Sequence, residues 1–238
     1  MTKGIGEPLR ALRKYVTHPP AIAPWRPWAA SIVVVALLTF VGAIFWQQDW
    51  KWGLPTPRPA HLKQPAVGSV PALPAAIVAL ADASPERPLM LHFFNPDCPC
   101  SRFNQDHVRD LVRAHRSTTT FVAVIEPEDG PARREAVAEV TRRLGVPAIL
   151  DADGSIAKAF GVYASPQAVL LTTGGALYYR GNYNLARYCT DARTEFARIA
   201  LERLLAGEPA YDAPAAATVA YGCPLPRPVA QLARKDLE

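Results

Sequence analysis

The sequence has little net charge outside its N-terminal arm, no internal repeat, only four cysteines, and no histidine after His115. The formal charge is +5, and Lys3, Arg10, Arg13, Lys14 and Arg26 against Glu7 give +4 of it to the arm, which leaves +1 elsewhere. No basic footprint for nucleic acid remains. The lack of a repeat argues against a solenoid, and 238 residues allow one domain of ordinary size with an appendage.

Charge is also missing from Ala29 to Trp46, eighteen residues that would span roughly 27 Å as a helix. All five tryptophans, at positions 25, 28, 46, 50 and 52, flank this run, where indole rings favour a headgroup layer. The basic arm precedes the run, while Asp49 and Lys51 cancel after it, so positive-inside bias predicts a single-pass anchor with a cytoplasmic N-terminus. A cleaved signal peptide is the alternative, with Val41-Gly42-Ala43 as its weak cleavage site. Either way, residues 53–238 are expected outside the cytoplasm, in the periplasm if the membrane is a bacterial inner membrane.

The expected organisation is a basic arm (1–28), a transmembrane anchor (29–46), a proline-rich spacer (47–75), a folded domain (76–210) and a Pro/Ala-rich tail (211–238). Pro55, Pro57, Pro59, Pro65, Pro71 and Pro74 crowd the spacer, which reads as semi-rigid extended chain holding the domain off the bilayer. Within the domain, strand-like Pro88–Phe94 leads to helix-like Ser101–His115. Thr118–Ile125, Pro131–Leu144 and Val146–Leu150 continue the alternation. Thr173-Gly174-Gly175 between two short apolar runs predicts a hairpin, and Asp191 predicts the N-cap of a helix ending near Gly207. The order β-α-β-α-β-α-β-β-α implies an α/β fold with a mixed sheet flanked by helices.

The chemistry concentrates in Phe93-Phe94-Asn95-Pro96-Asp97-Cys98-Pro99-Cys100-Ser101-Arg102, between a predicted strand and a predicted helix. Cys98 falls at the helix N-cap, where the helix dipole and unpaired amides favour thiolate, and Pro99 takes the first helical position. Asp97 opposes thiolate formation, and Arg102 offsets it.

This segment resembles the thioredoxin superfamily, notably its exported thiol-disulfide oxidoreductases. Gly161-Val162-Tyr163-Ala164-Ser165-Pro166-Gln167-Ala168-Val169-Leu170 is similar to the family's segment before its penultimate strand, so the resemblance implies a cis Pro166 facing the active cysteine. It covers roughly residues 75 to 207, through Gly174-Gly175 and Tyr179-Arg180-Gly181. It implies a thioredoxin-like fold after one transmembrane helix. It also implies thiol-disulfide exchange with exported protein or small-molecule disulfides, helped by a redox partner protein and needing neither cofactor nor metal.

Departures from the family leave the mechanism open. Only one residue separates Cys98 from Cys100, and Ser101 stands where a thioredoxin has its second cysteine. Cys98 is the expected nucleophile; either Cys100 resolves the mixed disulfide or Cys98 acts alone or with a partner protein's thiol. His92, six residues before Cys98, either supports exchange by moving protons or merely packs in the strand. Cys189 and Cys223 are expected to form a structural disulfide tying the tail to the body, with Cys223 as remote resolver of Cys98 the alternative.

Three function classes stand side by side: the oxidoreductase, a Cu(I)-binding thioredoxin-fold protein, and a non-catalytic exported module. Two soft thiolates suit Cu(I), but with no histidine after His115 the third ligand has to come from His92 or a partner. A peroxidase is disfavoured because the peroxiredoxin pattern of Pro, three residues, Thr or Ser, two residues and Cys is missing.

Overall fold

The computed structural model describes residues 23–50, 54–82, 84–96, 98–126, 132–185, 191–210 and 212–225. It divides into two compact units, Met1–Gln48 and Asp49–Glu238.

In the first unit, α1 (Trp25–Phe45) starts after Pro24 and passes into a π-helical turn at Trp46–Trp50. The helix Trp25–Gln48 contains an eighteen-residue window with a mean hydropathy of 2.4 and is long and apolar enough to cross a membrane by length and composition. Its two hydroxyls inside the apolar stretch are satisfied within the helix: Ser31 Oγ donates to Pro27 O and Thr39 Oγ1 to Val35 O, both at 2.9 Å.

The second unit is built on five strands: β1 (Leu89–Phe94), β2 (Thr120–Ile125), β3 (Ala148–Leu150), β5 (Gln167–Leu171) and β6 (Leu177–Gly181), in the order β3-β2-β1-β5-β6. β1 pairs parallel with β2, and β2 with β3, while β5 runs antiparallel to both β1 and β6. The helices are α2 (Ala75–Asp82), α3 (Pro99–His115), α4 (Ala132–Leu144), α5 (Ser155–Phe160), α6 (Phe196–Leu205) and α7 (Ala215–Thr218). A separate two-stranded ladder joins β4 (Ala164–Ser165) to β7 (Cys223–Pro224). This is the thioredoxin-like mixed sheet that the sequence led us to expect.

The period-two pattern of β1 explains how both faces are covered. Met90 and Phe94 pack with Val108, Leu111 and Val112 of α3 and Phe196 and Leu201 of α6. Leu89, Leu91 and Phe93 pack with Ile77 of α2 and Ile156 and Phe160 of α5. Parallel strands buried on both faces read as continuous apolar runs, which is why Leu89–Phe94 and Thr120–Ile125 were visible in the sequence. Asp191 caps only a 3-10 turn, Ala192–Thr194, its side chain accepting from the Arg193 amide; α6 begins at Phe196.

Two segments differ from expectation. Residues 54–73 do not project as a spacer. Thr56 N donates to Ala220 O at 2.8 Å, Gly68 N to Leu177 O at 2.7 Å, and Leu177 N to Ser69 O at 2.8 Å. Arg180 Nη1 donates to Pro65 O at 2.9 Å, and Gln64 Nε2 to Gly161 O at 2.9 Å. The segment turns on itself where Leu62 N donates to Pro59 O and Ser69 N to Ala66 O, and between such turns extended proline-rich chain leaves carbonyls and amides available to a neighbouring surface. Residues 212–225, expected as a tail beyond the folded domain and tied to it by a disulfide, pack into it, since Ala217, Ala220 and Leu225 are buried. Small side chains let α7 approach β6 until the position of a Cβ on Gly181 lies 2.1 Å from Ala217 O.

Gly161 is where the N-terminal wrap meets the core: its φ is +67°, and a Cβ there would lie 2.8 Å from Gln64 Cα. A Gly161→Ala substitution should cost about 1–3 kcal/mol in backbone strain alone. In the detergent-solubilised full chain we expect Tm to fall by roughly 3–10 °C, with new protease cleavage within residues 54–73; an unchanged Tm would show that the wrap is not held there.

Candidate active site

The site is assembled where β1 ends and α3 begins. Cys98 is the N-cap of α3 in extended conformation, Pro99 opens the helix, and Arg102 N donates to Cys98 O at 3.2 Å. The strand-to-helix turn is closed by Cys98 N donating to Asn95 O at 3.1 Å. Asp97 lies outside the described residues, and Arg102 is exposed.

Across from this turn runs β4, and the Ser165–Pro166 peptide bond is cis, as the resemblance implied. Ser165 Oγ accepts from Asn95 N at 2.9 Å and shares a short hydrogen bond with Ser101 Oγ. Ser101 thus occupies the thioredoxin second-cysteine position with a hydroxyl that stitches α3 to β4. Ser165 O lies 3.5 Å from Cys98 Sγ. Ser165 was legible only as the neighbour of Pro166; its role as the hub of this polar cluster depends on the fold.

Cys98 Sγ is bonded to Cys223 Sγ, 125 residues away in sequence, with the Cα atoms 5.9 Å apart. The expected Cys189–Cys223 disulfide is therefore replaced by Cys98–Cys223, and Cys189 lies outside the described residues. The reason is geometric. β7 pairs antiparallel with β4, Cys223 opposite Ser165, which brings the tail's cysteine to the helix N-cap. Cys100 is fully buried on α3 and is not part of that bond.

The sequence also gave no sign of what holds Cys223 there. Gly222 has φ +115°, and a Cβ on it would lie 2.2 Å from Ser165 O. Thr56 Oγ1 donates to Gly222 O at 3.0 Å, Tyr221 OH to Asn184 O at 2.8 Å, and Leu225 N to Tyr163 O at 2.8 Å. The one advance signal was the Gly-Cys-Pro spelling itself.

His92 is buried on β1, its Nδ1 sharing a 2.9 Å hydrogen bond with Tyr183 OH. Burial, with a smaller contribution from His107, pushes its pKa down to about 3. Tyr183, also buried, has its pKa raised by desolvation and keeps its proton. His92 is accordingly a neutral core histidine, and the pair has no ready proton to exchange near neutral pH. Among the described residues no group of three or more His, Cys, Asp or Glu side chains is arranged to hold a metal ion. Of His92, the third ligand a Cu(I) site within this chain would need, Nδ1 is engaged by Tyr183 and Nε2 is buried without a hydrogen-bond partner.

Residues 73–224 match the family described as "Domain of unknown function (DUF6436)". The chain belongs to this family. The matched region takes in Cys98, Cys100, Pro166 and Cys223, so both ends of the disulfide lie inside the family domain. No curated protein matches. Among solved structures, a hypothetical protein from Sinorhizobium meliloti is 20% identical with a TM-score of 0.54, covering 68% of this chain and 95% of that one. An uncharacterized conserved protein from Geobacillus kaustophilus is 21% identical with a TM-score of 0.54, covering 74% and 98%. A secreted Mycobacterium tuberculosis disulfide oxidoreductase homologous to E. coli DsbE is 24% identical with a TM-score of 0.39, covering 49% and 82%.

The depressed His92 pKa carries a pH signature. Between about 6.5 and about 3 the unfolded chain binds a proton at His92 that the folded chain does not. Stability is therefore full above pH 6.5 and falls with acidification, by at most about 1.4 kcal/mol per pH unit. We expect Tm of the full chain to drop between pH 7 and pH 5, and His92→Gln, which keeps a partner for Tyr183, to flatten that slope. Equal slopes would mean His92 is not the group responsible.

Proposed function

We propose that the protein is a membrane-anchored, extracytoplasmic thiol-disulfide oxidoreductase in which Cys98 is the nucleophile and Cys223 the resolving thiol. The observation that carries this reading is the Cys98–Cys223 disulfide at a helix N-cap, opposite a cis-proline. A cysteine at that cap gains thiolate character from the helix dipole and the unpaired amides of the first turn. Opening the disulfide leaves Cys98 as a good leaving group and, in the reverse direction, as a competent attacking thiolate.

Cys223 takes the role that one-residue spacing suggested for Cys100. Residues i and i+2 of a helix do not face each other, so a thiol on the first turn of α3 is poorly directed at its N-cap neighbour. Cys223 meets Cys98 from a different strand, with backbone pairing to fix the approach. Ser101 and Pro166 support the site: Ser101 through its hydrogen bond to Ser165, Pro166 by setting the course of the β4–β5 chain past Cys98.

The anchor reading is supported by α1, by the tryptophans at its ends and by the basic arm before it. With the N-terminus cytoplasmic, the redox domain lies on the oxidising side of an inner membrane, where a structural or catalytic disulfide persists. Its substrates are exported proteins or small molecules carrying disulfides, and a redox partner protein returns the cysteine pair to its working state.

The test is exchange with oxidised glutathione by the purified full chain in detergent, after reduction. Cys98→Ser should lose exchange by at least about a hundredfold, since the residual rate is that of unactivated thiols. Cys100→Ser should stay within about threefold of wild type, and Cys223→Ser should accumulate a Cys98–glutathione adduct. Wild-type exchange in Cys98→Ser would overturn the proposal.

A further inference from the structure

We propose that electrons enter the oxidised protein through Cys223: the thiolate of a reductant attacks the Cys223 sulfur, and Cys98 departs as the leaving thiolate. This rests on the exchange chemistry proposed above and deepens it by assigning which half of the disulfide the redox partner meets. The two roles belong to different states of the chain. Cys98 is the attacking group of the reduced protein, and Cys223 is the attacked sulfur of the oxidised one.

The two halves of the bond differ in access. A thiolate displaces one sulfur of a disulfide by attacking the other from the far side of the bond. Cys98 has no solvent exposure, and its sulfur lies 3.5 Å from Ser165 O, so it offers a nucleophile no side to approach. Cys223 is half-buried, and Pro224 beside it is exposed. The tail is held on both sides of Cys223. Thr56 Oγ1 donates to Gly222 O at 3.0 Å before it, and Leu225 after it is buried and donates its N–H to Tyr163 O at 2.8 Å. Cys98 therefore stays covered while the bond is closed, and the approach is left to Cys223.

Leaving-group chemistry selects the same sulfur. Exchange is faster when the departing thiolate is the more stable one. Cys98 is the N-cap of the 17-residue helix α3, where the helix dipole stabilises a thiolate. Cys223 lies on the two-residue strand β7, which supplies no such dipole. Attack at Cys98 would have to expel the poorer of the two leaving groups. Cys100, equally buried and outside the bond, opens no third route.

The reductant is a dithiol of the redox partner. Its first thiolate forms a disulfide with Cys223 Sγ, the Cys98–Cys223 bond breaks, and the bonding pair leaves on Cys98 Sγ. The partner's second thiolate then attacks the partner sulfur of that mixed disulfide, and Cys223 leaves as thiolate. The partner ends as a disulfide and this chain as a dithiol, so two electrons have passed. The two protons that the partner's thiols lost to water are matched by the two that Cys98 and Cys223 take from it.

The experiment needs no variant. The oxidised full chain in detergent is mixed with excess sulfite near neutral pH, which opens a disulfide to one S-sulfonate on the attacked sulfur and one free thiol on the other. Samples are stopped with acid at increasing times, free thiols are labelled with N-ethylmaleimide after denaturation, and fragment mass spectra locate each group, separating Cys98 from Cys100. A parallel sample receives reduced glutathione in place of sulfite. At the earliest times we expect S-sulfonate on Cys223 and maleimide on Cys98, over the reverse pattern by about ten to one or more, as access and leaving group act in the same direction. Equal amounts of the two patterns, or S-sulfonate mainly on Cys98, would overturn the assignment while bond opening by glutathione leaves the exchange reading standing. A bond that glutathione opens and sulfite leaves closed would overturn it too, since an accessible sulfur admits the smaller nucleophile. Sulfite on Cys223 with no opening by glutathione would sink the exchange reading alone, and a bond closed to both reagents would sink both.

Discussion

The covalent tie between Cys98 and Cys223 is the constraint on which the site depends. It closes a loop spanning 125 positions, worth about 5 kcal/mol on a chain-entropy account. It joins the N-cap of α3 to the strand that caps the edge of β4. Cys98 has no solvent exposure in this state. A disulfide-bonded sulfur is not a thiolate, so the N-cap position can favour a Cys98 thiolate only after the bond to Cys223 has been opened.

That tie explains why the two ends of the domain are folded against it. Thr56 from the N-terminal wrap holds the Gly222 carbonyl and the Ala220 carbonyl, so the wrap braces the tail just before its cysteine. Gln64 in turn braces Gly161 at the end of α5, a few residues before β4. Arg180 donates to both Pro65 O and Phe160 O, bridging the wrap and the core from β6. Burial lowers its pKa, yet a guanidinium stays charged, so these two carbonyls offset part of its desolvation. Residues that read as linker thus brace the candidate site from outside.

The central elements were legible because their signals are local. Continuous apolar runs mark β1 and β2, Gly174-Gly175 marks the β5–β6 hairpin, and Cys98-Pro99 marks a helix start. Pro166 was found by family spelling, and its cis bond follows that pattern. The cysteine pairing was not legible, because four cysteines allow three connectivities and the choice depends on β7 finding β4. Residues 54–73 were misread for a related reason. Proline density reports backbone stiffness, and nothing in it says whether the stiff chain is solvated or laid along a surface. His92 stood six residues before Cys98 as a proton carrier might, but spacing along a strand does not reveal depth of burial, which is what decides its charge.

Ser101 bears on why such a site would forgo the usual two-residue cysteine spacing. Its hydroxyl locks α3 to Ser165, and Ser165 also holds the Asn95 amide. A thiol at that position would trade a strong hydrogen-bonding group for a weak one and loosen the turn that presents Cys98. With the second sulfur on Cys223 instead, that rigid cluster is kept, and under the proposed exchange chemistry the bond to be reduced is the one that ties the tail over a fully buried Cys98.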